Sequence, residues 1–200
     1  MREHASEARH DAGVESTARR LLVATPTLVD PNFARTVIFM IEHTDDGALG
    51  VVLNRPTGAE LVEALPDWSR VATEPAVAFL GGPVQVQEAV IGLARVGELP
   101  DDEEVDPWQP LFGTVGTVDL GTAPHDAGLD LVAVRVFAGY AGWGARQLDT
   151  ELARHDWFVV DAIADDIFTT EPTALWRTVL RRQHGELAIA ANFPADPSNN

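Results

Sequence analysis

Residues 36–53 read TVIFMIEHTDDGALGVVL. The first part, Thr36 to Glu42, is β-branched and almost continuously apolar, the pattern of a strand buried on both faces. Asp45-Asp46-Gly47 is a turn signal, and a second apolar run follows from Ala48 to Leu53. Two such runs about a turn predict a β-hairpin. Upstream, Leu21 to Ala24 reads as a short buried strand halted by Pro26. Downstream, Asn54-Arg55-Pro56 ends the hairpin, and Thr57-Gly58-Ala59-Glu60 has the spacing of a capping box. That spacing predicts a short helix to Leu65, stopped by Pro66. Further strands are expected at Ala76–Leu80, Ala89–Val96, Gly113–Leu120, Leu129–Ala138 and Trp157–Val160. Helices are expected at Arg146–Arg154, with Leu148 and Leu152 on one face, and at Thr173–His184, with Gly185 as its terminator. Strands come first in clusters and helices are added later. This order favours an α+β fold with a mixed, largely antiparallel sheet over a doubly wound one.

The chain has 200 residues, 14 basic and 31 acidic, for a formal charge of −17. Every basic residue is arginine, and lysine and cysteine are both absent. Those two absences remove disulfides, thiol nucleophiles, zinc–thiolate sites, Schiff bases and the phosphate-binding lysine of P-loops. The negative surface opposes direct nucleic-acid binding, which depends on neutralising phosphates with basic side chains. It equally opposes docking on anionic lipid. Arg177, Arg181 and Arg182 fall close together and leave room for a local basic patch. No stretch approaches the ~20 apolar residues of a membrane span, and Met1 to Arg20 lacks the apolar centre of a signal peptide. The expected address is therefore the cytoplasm. Residues 1–17 read as a disordered tail, 18–191 as one domain and 192–200 as a loose end. The acidic run Asp101–Asp106 lies between Pro100 and Pro107 and reads as a solvated loop.

Four stretches carry unusual turn or polar content: DPNFART at 30–36, EHTDDGALGVVLNRP at 42–56, GGPV at 81–84 and GYAGWG at 139–144, the last followed by Arg146-Gln147-Leu148. In this order and spacing they resemble the YqgE/AlgH family of bacterial proteins, over roughly Leu21 to Pro194. The chain departs from the family pattern at Arg146, where a Gly is usual, and at Asp149, where a Glu is usual. Residues 122–128 also make a poor helix. The resemblance implies a mixed sheet curled towards a barrel, flanked by three or four helices, and implies no defined reaction. One branch of the family carries the label of a transcriptional regulator of alginate synthesis. Nothing in this chain resembles a helix-turn-helix, so direct DNA regulation ranks last among its functions.

The candidate binding residues are Arg35, His43, Asn54, Arg55, Pro56, Gly81, Gly82, Pro83, Gly139, Tyr140, Gly142 and Trp143. Arg35 and Arg55 have the chemistry to clamp a carboxylate or phosphate, or else each pairs with one of the abundant acids. Asn54 is placed either to meet a ligand at a strand end or to cap the following turn. The glycines of GYAGWG either present backbone amides to an anion or permit a tight turn with close packing of Trp143. Their order is not that of a dinucleotide fingerprint. His43 is the best candidate for acid–base work, although adjacent Glu42 points to the opposite face. His125-Asp126 and His155-Asp156 lack metal-ligand spacing, and no metal or cofactor is expected. The leading expectation is a non-enzymatic module that binds a protein or small ligand. It requires the Asn54, Gly81 and Tyr140–Trp143 segments to converge, with a guanidinium and the Trp143 indole facing solvent together. The alternative is a hydrolase or isomerase using His43 with Arg35 or Arg55 as an oxyanion or phosphate stabiliser.

Overall fold

A computed structural model describes residues 16–100 and 107–194. Residues 1–15 of the expected tail, the acidic run at 101–106 and residues 195–200 of the expected loose end lie outside the described residues. The hairpin of residues 36–53 forms as β2 (Val37–Thr44) and β3 (Gly47–Val52), joined at Asp45-Asp46. With β1 (Arg20–Ala24), β10 (Ala141–Gly144) and β11 (Trp157–Asp161) it makes an antiparallel sheet ordered β10-β3-β2-β1-β11. The second sheet contains β4 (Pro56–Glu60), β5 (Val77–Leu80), β6 (Val90–Val96), β7 (Trp108–Phe112), β8 (Val115–Val118) and β9 (Leu131–Ala138). Its order is β4-β5-β9-β6-β8-β7, and only β5 and β9 run parallel. The sheets are thus mixed and largely antiparallel, and both remain open rather than closing into a barrel.

Continuous apolar runs put β1 and β2 in the middle of the molecule. Leu21 to Ala24 and Val37 to Met40 are all fully buried. Alternate residues serve opposite faces, as strand geometry dictates. Leu21, Val23, Val37 and Phe39 join Phe79, Leu93 and Phe137 of the second sheet, with Trp176 and Val179 of α5 (Leu175–Arg182) in the same core. Leu22, Ala24, Ile38 and Met40 instead face Trp143, Trp157 and Leu148, the last on α3 (Gln147–Ala153). The outer face of the second sheet is covered by Leu61 of α1 (Leu61–Ala64) and Trp68 of α2 (Pro66–Ser69).

The structure corrects the sequence reading at several elements. Thr57 does not cap a helix. Its hydroxyl donates to the Ala78 carbonyl at 2.6 Å, across to β5, so residues 56–60 are a strand and the helix starts at Leu61. β7, which contains Pro110, was not among the expected strands. It is an edge strand, paired only with β8, where a missing N–H is tolerated. Gly142 and Gly144 disguise β10, another edge strand, as a loop. The short helices α4 (Ala164–Ile167) and α6 (Glu186–Ala190) were also missed, and Gly185 joins α6 to the preceding turn rather than directly closing α5. Among the described residues no helix is long and apolar enough to cross a membrane.

Candidate functional site

Three of the four unusual stretches meet at the end of β3. Asn54 is a buried clasp: its Oδ1 accepts the Val37 N–H at 3.0 Å and its Nδ2 donates to the Arg35 carbonyl at 2.8 Å. It is spent on the fold, not offered to a ligand. Arg55 follows, half-buried, with NH2 donating to the carbonyls of Ala34 at 3.0 Å and Pro31 at 3.5 Å. The backbone then enters β4 at Pro56, where the Leu80 N–H donates to the Arg55 carbonyl at 2.8 Å. A narrow cleft of about 70 Å³ results, lined by Pro31, Asn32, Val52, Arg55, Leu80, Gly82 and Pro83.

The glycine-rich stretches pack against each other behind this cleft. Val84 and Tyr140 exchange both backbone hydrogen bonds, each at 3.0 Å, and the Gly81 N–H donates to the Ala138 carbonyl at 2.9 Å. Gly139 has φ +70° and Gly82 has φ +155°. A Cβ on Gly81 or Gly82 would overlap the backbone of Gly139 or Tyr140 respectively. These glycines therefore serve close approach of two chain segments. Gly142 continues into β10 with the half-buried Tyr140 ring against it.

Trp143 corrects the expected site most. Its indole is only 6% exposed and packs with Phe33 and Trp157, at ring-centroid distances of 6.3 and 6.2 Å. Its N–H donates to Glu151 Oε2 at 2.9 Å. No indole accompanies Arg55 at the surface. Strand alternation explains this, since Ala141 and Trp143 point inward and Gly142 and Gly144 outward.

Neither Arg35 nor Arg55 pairs with a carboxylate among the described residues. Arg35, at φ +60°, lays its guanidinium 4.2 Å from the Trp176 ring centroid and donates to the Pro194 carbonyl. Its pKa falls below the ordinary arginine value, chiefly through burial and then through repulsion by Arg177. It does not line the cleft. The expected basic cluster also dissolves, because Arg182 forms a two-pronged pair with buried Asp166, at 2.6 and 2.9 Å.

His43 sits elsewhere. It lies near the far end of β2, roughly 25 Å from Arg35 at ~3.3 Å per strand residue. Nδ1 accepts the Thr17 N–H at 3.1 Å and faces the Thr17 hydroxyl at 3.0 Å, while Nε2 lies 3.3 Å from Asp149 Oδ1. A ring nitrogen that accepts a backbone N–H carries no proton, so the neutral ring is protonated at Nε2, towards Asp149. The side chain is 7% exposed and both nitrogens face protein partners. The ring can fasten chain segments, and neither Arg35 nor Arg55 is among its partners. Thr17 itself is buried and Ser16 donates to the His43 carbonyl at 3.0 Å, so the expected tail is anchored at its last two residues.

Two wider troughs, of about 360 and 340 Å³, lie away from these stretches. In the first, Arg70 faces Asp67 at 4.0 Å and His125 lies 3.5 Å from Asp126. Among the described residues no cluster of three His, Asp or Glu side chains is arranged to hold a metal ion.

Arg135 escaped the sequence reading, although one charge inside the run LVAVRVFA was a visible signal. It is 1% exposed, lies over the Phe79 ring at 4.3 Å, and donates from NH2 to the carbonyls of Glu74 and Thr169. Nε and NH1 have no partner among the described residues. Burial lowers its pKa to about 10, so it remains charged at neutral pH. A depression of that size corresponds to roughly 3 kcal/mol of lost stability while the group is charged. The unfolded chain holds this proton more tightly, so stability should rise as pH climbs above about 10. Urea titrations of wild type and Arg135→Met across that window check the sign: the difference between them should shift in favour of wild type, and a constant difference would refute it.

The AlgH-like family model matches residues 21–188. The UPF0301 protein of Streptomyces coelicolor is 46% identical over 188 residues, covering 94% of this chain and 97% of that protein. Its counterpart in Thermobifida fusca is 47% identical over 190 residues, covering 90% and 93%. A crystal structure of a Corynebacterium diphtheriae protein superimposes with a TM-score of 0.83 at 31% identity, covering 90% of this chain and 94% of the other. The solution structure of the AlgH protein from Pseudomonas aeruginosa gives a TM-score of 0.61 at 26% identity, covering 97% and 98%. From its hairpin and glycine-rich turns to its two open sheets, this chain belongs to the AlgH-like, UPF0301 family.

Proposed function

We propose that this chain is a non-enzymatic cytoplasmic binding module that recognises an anionic group of a protein or small-molecule partner at the Arg55 cleft. The observation that carries this is a half-buried guanidinium fixed by main-chain carbonyls, with no carboxylate partner among the described residues. Its NH2 is anchored, which leaves Nε–H and NH1, on opposite sides of the guanidinium, each to donate a single charge-assisted hydrogen bond to an oxyanion. The apolar walls, Pro31, Leu80 and Pro83, reduce competition from water. A volume of about 70 Å³ suits one small group, far below the ~300–1,000 Å³ of cofactor pockets.

The test is an NMR titration of ¹⁵N-labelled protein with isovalerate and with inorganic phosphate. Shifts centred on Arg55, Leu80 and Gly82 are expected with at least one of them, and none in a folded Arg55→Ala variant. An unresponsive cleft, or equal shifts in the variant, would end the proposal.

A further inference from the structure

The cleft opens onto an apolar strip whose origin is the register of the second sheet. Leu80 pairs with Ala138, and Ala138 pairs with Val90, so the three side chains form one row across β5, β9 and β6. The preceding row, Phe79, Phe137 and Ile91, faces the core, so alternation turns this row outward. Leu80 is 37% exposed and Val90 58%. Val86, 39% exposed, lies beside this row, its Cα 3.0 Å from where a Gly139 Cβ would stand. Apolar side chains gathered at one place, next to an arginine that pairs with no acid among the described residues, are the composition of a partner surface.

Resting on the function proposed above, we infer that the occupant is the free C-terminal end of another protein, with an aliphatic last residue and a basic body. The cleft is shut behind by Val52 and Gly82, both buried. A chain end can enter such a dead end, whereas a continuous chain cannot pass through it. The Arg55 guanidinium takes the terminal carboxylate through a charge-assisted hydrogen bond, and the small volume favours a branched aliphatic side chain over an aromatic one. The residues just upstream lie along Leu80, Ala138 and Val90. Charge chooses the rest of the partner. A net −17 repels an acidic body and a second copy of this chain alike, and it draws in a basic one.

Fluorescence polarisation with N-terminally labelled octapeptides tests this on the full chain. The probes carry upstream lysines and end in valine as the free acid, valine amide, or tryptophan as the free acid. The valine acid is expected to bind at least about tenfold more tightly than either other probe, and to weaken as salt is added. Arg55→Ala should abolish the difference between acid and amide, and Val90→Glu should weaken the valine acid while leaving the isovalerate response intact. Equal affinity for acid and amide, or tight binding of an amidated peptide carrying an internal Glu, overturns the chain-end assignment. A dimer in sedimentation that Arg55→Ala dissolves overturns it too, by making the occupant a second copy. If isovalerate or phosphate still moves Arg55 in such a case, the broader binding role stands. If no probe of any kind moves Arg55, both fall.

Discussion

Gly82→Ala should destabilise the fold by about 4 kcal/mol, through two costs that act together. The first is steric. A Cβ at this position would overlap the Tyr140 carbonyl and the Ala141 nitrogen. These atoms cannot retreat, because Tyr140 is bonded in both directions to Val84 and the residues after it are paired to β3. Forcing an extra carbon into packed structure costs about 1–3 kcal/mol even where side chains yield. Here the opposing atoms are main chain. The second cost is conformational, since φ +155° is a value that residues with a Cβ rarely adopt. Holding a residue in such a region adds about 1–3 kcal/mol. With a urea m-value of roughly 2 kcal/mol/M, the midpoint should fall by about 2 M. Gly113→Ala is the control: its φ is +51° but nothing lies within 4 Å of the added carbon. That variant should lose only about 1 kcal/mol, and equal losses in the two would dismiss the steric explanation.

Much of the fold was legible because burial on both faces writes itself as an uninterrupted apolar run. β1, β2, β3 and β9 were found on that basis, and they are the strands buried between other layers. What escaped was the periphery. β7 and β10 are edge strands, where Pro110, Gly142 and Gly144 are tolerated because one side needs no ladder. β4 was mistaken for a helix because the hydrogen-bonding reach of Thr57 depends on a strand more than twenty residues away. Half of the candidate site was legible for a similar reason. Asn54-Arg55-Pro56 and Gly81-Gly82-Pro83 are local punctuation at strand ends, and strand ends that share a sheet edge meet. The side-chain destinations were not readable. Trp143 has the chemistry of an exposed anchor, and only the alternation of an unrecognised strand turns it inward. Arg146 stands in the left-handed region at φ +57°, a conformation that glycine adopts without strain. The Asp149 departure acquires a physical role as well, since that carboxylate faces His43.

Glu151→Leu should cost about 3 kcal/mol, while the same change made together with Trp143→Phe and Trp157→Phe should cost markedly less. Glu151 Oε2 accepts both indole N–H groups, each at 2.9 Å, and Oε1 accepts from Gln147 Nε2 at 3.1 Å. Gln147 Oε1 in turn accepts the Gly144 N–H at 3.2 Å. Residues 143, 147 and 151 are spaced by four, so one strand residue and one face of α3 are tied into a single relay reaching β11. Leucine would preserve bulk and strand two indole donors in a buried cluster, each at about 1–3 kcal/mol. Phenylalanine at both indole positions removes the donors first, so the later loss of the carboxylate leaves nothing unsatisfied. Thermal or urea denaturation of the four combinations yields the coupling directly. If Glu151→Leu is as costly between two phenylalanines as between two tryptophans, the carboxylate acts through something other than the indoles. If the coupling appears, the WGARQLDTE block is a fastening between α3 and the edge of the first sheet. Its loss should then lower binding at Arg55 only in proportion to the unfolded fraction, because α3 contributes no atom to the cleft.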